Sequence, residues 1–264
     1  MVAEFKDLDY WALILGGSSG LGLATARKLA QHGMNIIIIH RDRKAEIPDI
    51  EEAFEEIRNS DVRLESFNID AVQKEKRGLL IEEIKDILGE KGKIRTLVHS
   101  IARGNLKPLT GEGPILENID FQLTLDAMAL SLYDWTQAVF RAKLFAKDAR
   151  VISFTSEGNQ KAWANYAAVS VAKVAMESIT RSMALEFAPY GIRANCIQAG
   201  VTVTRSFQMI PGSETLKEHA LKHNPFRRLT VPKDVANVVY LLSKDEACWI
   251  TGSIIPVNGG EHLK

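Results

Sequence analysis

Short, almost wholly apolar runs punctuate this chain, separated by longer stretches whose apolar positions recur at helical spacing. Seven of the runs read as strands: Trp11–Leu15 (WALIL), Asn35–Ile39 (NIIII), Val62–Phe67 (VRLESF), Arg95–His99 (RTLVH), Arg150–Phe154 (RVISF), Ile192–Ile197 (IRANCI) and Ser253–Val257 (SIIPV). Between them, Leu21–His32, Lys74–Leu88 and Val169–Phe187 carry the helical period. Alternation of strand and helix predicts an α/β fold: a single Rossmann-type, doubly wound parallel sheet with helices on both faces, occupying 1–264 as one domain. Ligands of such sheets sit beyond the carboxyl ends of the strands, where the strand order reverses. Only the stretch 202–225 lacks a sheet role. It follows a strand whose end should face the ligand, so it reads as a substrate lid, with a plain structural loop and helix as the alternative.

Composition narrows the class. The 264 residues are 46% apolar, enough for a core with both sheet faces covered, and 33 basic residues balance 33 acidic ones. A neutral chain offers no field to steer a nucleic acid or an anionic membrane, so neither is expected as a partner. The apolar run Ile36–Ile39 is far too short to span a bilayer. The amino-terminal MVAEFKDLDY is charged and lacks the apolar core of an export signal, which points to a cytoplasmic enzyme. Cys196 and Cys248 form neither a disulfide framework nor a metal-ligand spacing; both read as core thiols, and no metal site is expected.

The first strand runs into LILGGSSGLG, where Gly16, Gly20 and Gly22 form a G-x-x-x-G-x-G turn at the start of a helix. Glycines let backbone N–H groups approach a pyrophosphate, and the helix terminus behind them favours negative charge. Gly16, Ser19, Gly20 and Leu21 are therefore candidate cofactor contacts; the bland alternative is a tight turn only. The second strand ends in HRDRK. NAD-binding folds usually place a carboxylate there for the ribose hydroxyls. Here His40 stands in that position, followed by Arg41 and Arg43, whose guanidinium groups suit a 2′-phosphate. This favours NADPH over NADH. Asp42 lies between the arginines and is able to turn inward, and a solvated charge run is the competing reading.

These features together resemble the short-chain dehydrogenase/reductase superfamily over essentially the whole chain. Within it, VHSIA after the fourth strand, the pair Tyr166 and Lys173 with six residues between them, AGVTVT after the sixth strand, and NPFRRLTVPKDVANVVYLLS followed by ITGSIIPVNGG resemble the enoyl-acyl-carrier-protein reductases of fatty-acid synthesis. The resemblance implies that Asn68 and Ile69 hold the adenine ring and that Ser100 and Ile101 line the adenosine ribose and the nicotinamide side. It further implies that the Thr202 backbone meets the carboxamide and that Thr204 lies near the diphosphate. It also implies a homotetramer, packed through helices around Phe121–Phe145 and Val169–Phe187, and an acyl thioester substrate on acyl-carrier protein. Three positions depart from that subgroup. The glycine turn has the ordinary superfamily spacing, Ser156 (after Thr155) stands where many members carry a second tyrosine, and Asp126 replaces the helix asparagine of carbonyl-reducing members.

The spacing of Tyr166 and Lys173 carries the chemistry. Seven positions are roughly two helical turns, so both side chains point along nearly one face. Position 169, where a three-residue spacing would put the acid, holds Val169, which has no proton to give. Ketone reduction needs the acid one bond from the carbon that takes the hydride. Reduction of an α,β-unsaturated thioester puts the hydride on Cβ and needs a donor further away, at the enolate oxygen. Tyr166 is thus the expected donor and Lys173 the cation at the cofactor ribose, with Ser156 either orienting the acyl carbonyl or simply ending its strand. Trp163 reads as a pocket wall or core aromatic, and His219 and His223 as solvated residues of the lid. The expected activity is NAD(P)H-dependent enoyl-thioester reduction. A short-chain carbonyl reductase and a non-catalytic NADP(H)-binding protein are the alternatives.

Overall fold

The computed structural model describes residues 3–263. Their strands are β1 (Tyr10–Leu15), β2 (Asn35–His40), β3 (Leu64–Asn68), β4 (Lys93–His99), β5 (Phe145–Ser156), β6 (Ile192–Ala199) and β7 (Ile254–Val257). All pair in parallel, in the order β3-β2-β1-β4-β5-β6-β7. The helices are α1 (Gly20–Gln31), α2 (Ile47–Arg58), α3 (Lys74–Leu88), α4 (Asn118–Leu125), α5 (Ser131–Arg141), α6 (Ala167–Glu186), α7 (Arg205–Gln208), α8 (Ser213–His223) and α9 (Pro232–Ser243). The architecture is the expected Rossmann-type sheet, and its strand order reverses between β1 and β4.

Side chains alternate across each strand, which is why one apolar run can serve two cores. Trp11, Leu13 and Leu15 of β1 pack with Ile84 of α3, Trp135 of α5 and Met176 of α6. Ala12 and Ile14, pointing the other way, pack with Leu29 of α1, Phe54 of α2 and Val239 of α9. Both faces are therefore covered, as parallel sheets require.

Beyond shifts of a residue or two at element ends, three points differ from the sequence reading. β5 begins at Phe145, not Arg150, because Phe145 pairs with Ile94 and Ala149 with Ile192. The polar letters of FAKDA hide this extension, and the pairing places Phe145 in a strand instead of at the end of a helical stretch. That helical stretch contains a π-helical turn at Asp126–Leu130 joining α4 to α5. Cys248 is exposed after α9, so only Cys196 is the core thiol expected of both. Among the described residues no helix is long and apolar enough to cross a membrane, and no three His, Cys, Asp or Glu side chains gather as a metal site.

Candidate active site

A cleft of about 620 Å³ opens over the carboxyl ends of the strands at the β1/β4 reversal. Its floor is the turn between β1 and α1. Gly16 sits at φ +83°, and a Cβ there would fall 2.6 Å from the Ser100 carbonyl oxygen; at Gly22 it would fall 2.1 Å from the oxygen of Gly16. The backbone thus passes closer to β4 and to itself than any side chain allows. Ser19 caps α1 without a side-chain hydrogen bond, and no acidic residue lies in the first turn. The helix terminus is left open to an anion. Thr204 stands directly over this turn, its Cγ2 3.4 Å from where a Gly20 Cβ would be, and its hydroxyl caps α7 by accepting from the Phe207 N–H. Built from glycine at the open terminus of a helix, this cradle fits the diphosphate of a dinucleotide.

At one end of the cleft, Arg41 donates to Asp70 at 2.5 Å and Arg103 reaches the same carboxylate oxygen at 3.2 Å. Burial resists ionisation of Asp70, but the Val72 N–H and the two guanidinium groups outweigh it and hold the carboxyl below its ordinary value. Asp42 does turn inward, onto the buried His40 ring at 2.8 Å. Asn68 exchanges two hydrogen bonds with the Asp42 backbone, at 3.0 and 3.1 Å. Of the residues expected at the cofactor, Arg43 and Asn68 lie outside the lining: the Arg43 N–H donates to Glu46, and the Asn68 amide fastens the end of β3 to the turn after β2. Gly16, Ser19, Gly20, Leu21, Arg41, Ile69, Ser100, Ile101, Lys173, Thr202 and Thr204 all line the cleft, together with Ser156 and Tyr166.

At the other end, Asn165 takes a left-handed φ of +62°, a conformation its short amide tolerates, and so turns the chain into Tyr166 at the cap of α6. The ring lies against Gly158, where a Cβ would fall 2.5 Å from Tyr166 Cε1. Burial raises the phenol above its ordinary value, and the neighbouring Ser156 hydroxyl offsets this only in part. Tyr166 therefore remains a proton-bearing donor at neutral pH. Ser156 Oγ is buried and, among the described residues, has no hydrogen bond of good geometry. Val169 is packed against Met128 and Ala172, with Gly104 beside it at a distance that admits no side chain.

Two turns into the helix, Lys173 is buried and donates to the Phe154 carbonyl at 2.5 Å. Burial pushes its ammonium down to about 8, against the opposing pull of Cys196 and Glu177. His99, at the end of β4, is buried on Ser131 Oγ at 2.7 Å; burial and Lys173 together push it down to about 3, so it is a neutral ring. Trp163 and the exposed His219 also line the cleft, and His219 stacks on His223 with centroids 3.8 Å apart.

Several lining or supporting groups gave no sequence signal. Glu157 and Glu261 both face this end of the cleft, and burial, then Glu157, raises the Glu261 carboxyl. Glu177 and Asp70 likewise acquire meaning only from contacts across the fold. A left-handed Asn before the tyrosine was the one local signal open to a reader.

Residues 16–262 match the family described as enoyl-(acyl carrier protein) reductase. A 3-oxoacyl-[acyl-carrier-protein] reductase of Staphylococcus epidermidis is 31% identical over 96% of this chain and 98% of its own. A 7alpha-hydroxysteroid dehydrogenase of Paraclostridium sordellii is 28% identical over 96% and 91%. The crystal structure of the enoyl-[acyl-carrier-protein] reductase (NADH) of Aquifex aeolicus superposes with a TM-score of 0.84 at 25% identity, covering 97% of each chain. With a glycine cradle, a Tyr–Lys pair on one helix and a match over nearly its full length, the chain belongs to the short-chain dehydrogenase/reductase family of NAD(P)H-dependent oxidoreductases.

Proposed function

We propose that this protein reduces the carbon–carbon double bond of an enoyl thioester carried on acyl-carrier protein, with NADPH preferred to NADH. The observation that carries the reading is Tyr166. It stands at the cap of α6, two turns from Lys173, while the intervening position 169 is filled by a packed valine. In this reading Gly16, Ser19, Gly20, Leu21 and Thr204 hold the diphosphate, Ile69, Ser100 and Ile101 the adenosine and nicotinamide flanks, and Thr202 the carboxamide. When bound, the nicotinamide supplies the hydride, which goes to Cβ of the substrate. Tyr166 donates a hydrogen bond to the thioester oxygen, where the enolate charge develops, and a proton from solvent added at Cα completes the saturated thioester. Lys173 holds ribose hydroxyls and adds positive charge nearby. Leu106, Met128, Val169, Trp163, Ile210 and Leu216, which line the same cleft, would exclude water from the acyl group.

NADPH is favoured by Arg41 and Arg103, two guanidinium groups meeting at the adenosine end where an NAD enzyme would place a ribose-binding carboxylate. A homotetramer is supported by apolar side chains left exposed on neighbouring helices: Ile119 and Leu123 on α4, Tyr133 on α5, and Val171, Val174 and Leu185 on α6. A segment 202–225 acting as a lid would close the site over the acyl chain.

A second reading, reduction of a carbonyl, is favoured by one observation: the unpaired Ser156 Oγ beside the phenol could orient a ketone oxygen. Cofactor oxidation followed with a crotonyl thioester and with a 3-oxoacyl thioester separates the two. The expected result is a kcat/KM at least about 100-fold higher for the crotonyl thioester, the scale a well-placed donor contributes. Preference for the oxo substrate would transfer the assignment to the second reading.

A further inference from the structure

Lys173 is a buried cation that, among the described residues, has a single hydrogen bond, to the Phe154 carbonyl. A charge so placed is costly unless something opposite in sign stands close by. The groups that face it come from four elements. His99 on β4 is neutral, with its ring pushed down to about 3. Cys196 on β6 is a thiol, pushed up to about 11 chiefly by burial. Tyr166, at the cap of α6, keeps its proton. On β5 the neighbour is the Phe154 carbonyl. Glu177 is left as the carboxyl group that acts on it. It lies one helical turn beyond Lys173, is 6% exposed, and its Oε1 accepts from Thr155 Oγ1 at 2.6 Å and from Asn159 Nδ2. Thr155 and Asn159 flank the turn that carries Ser156 and Gly158.

We propose that Glu177 is a positioning residue of the site. It is the counter-ion that keeps the Lys173 ammonium charged for the cofactor ribose, and through Thr155 and Asn159 it braces the turn against which Tyr166 lies. The proposal rests on the role given to Lys173, and not on which substrate is reduced. It is therefore tested on cofactor binding, so that a failure of the enoyl-thioester assignment leaves it standing and the reverse also holds.

The experiment is a fluorescence titration of NADPH onto the full chain at a series of pH values from neutral to about 10. In the wild type, affinity falls as pH rises through about 8, where Lys173 loses its proton. Glu177→Gln keeps an acceptor for Thr155 and Asn159 but removes the charge, and the midpoint should move down by about one pH unit or more. Glu177→Asp keeps the charge and should bring the midpoint back toward the wild-type value. If the Gln variant does not fold, Glu177→Met removes the charge together with the acceptor, and the shift of the midpoint, not the loss of affinity, then tests the counter-ion. A weakening of equal size at every pH, with the midpoint unmoved, would mean that Glu177 is a structural brace alone and would overturn the proposal.

Discussion

Tyr166 keeps its proton at neutral pH, and burial raises the phenol further, so its hydroxyl is available as the donor of the proposed reaction. Tyr166→Phe preserves the ring and its contact with Gly158 while removing that donor. We expect about a 10²- to 10⁴-fold loss of enoyl-thioester turnover with NADPH affinity nearly unchanged, measured by single-turnover kinetics beside a binding titration. Turnover close to wild type in the chemical step would remove Tyr166 from the mechanism. At the far end of the cleft, Arg41→Ala takes one guanidinium from the pair on Asp70. A charged hydrogen bond is worth about 1.5–3 kcal/mol, so NADPH should weaken roughly 10- to 100-fold while NADH binding stays level. Equal loss for both cofactors would mean that Arg41 only anchors Asp70. The glycine turn and the Tyr–Lys pair were legible because each is written in a few consecutive residues with a strand before or a helix around them. The tie from Asn68 to the turn after β2, and the contacts of Glu177 and Glu157 across the fold, were unseen because those partners lie 26, 22 and 101 positions away in the chain.

Among the elements, the strands were readable wherever both faces are apolar, as in β1 and β2, and unreadable where polar letters interrupt, as at the start of β5. The helix after β3 was readable to the residue, from Lys74 to Leu88, because one face repeats apolar side chains and the chain leaves it at Gly89 with φ +60°. The segment 202–225 is different in kind. It consists of α7 and α8, few of its side chains are buried, and it is joined to the opposite side of the cleft by an ion pair between Arg205 and Glu46, just after β2. A segment held mainly by exposed contacts opens at low cost. We expect amide exchange across α7 and α8 to slow several-fold when NADPH and an acyl thioester are bound together, read by hydrogen–deuterium exchange against the cofactor-free chain. Unchanged exchange in α8 would make this a fixed structural element.

Taken as a whole, the molecule divides its labour along the strands. At their amino ends the buried Arg95 and Arg150 share Asp148 and donate to the carbonyls of Ser243 and Leu242, tying α9 to the sheet. At their carboxyl ends, packing gives way to a glycine turn, an open helix terminus and a cleft. Fold and family follow from that plan, and so does hydride chemistry. What distinguishes an enoyl-thioester reductase from its carbonyl-reducing relatives is the distance between the donor hydroxyl and the carbon that receives the hydride. The most direct measurement is therefore the position of the label after turnover of a crotonyl thioester with NADPH deuterated at its transferable position. The account predicts one deuterium on Cβ of a saturated butyryl product. A crotonyl thioester returned unlabelled, while a 3-oxoacyl thioester acquires deuterium on its carbinol carbon, would contradict it.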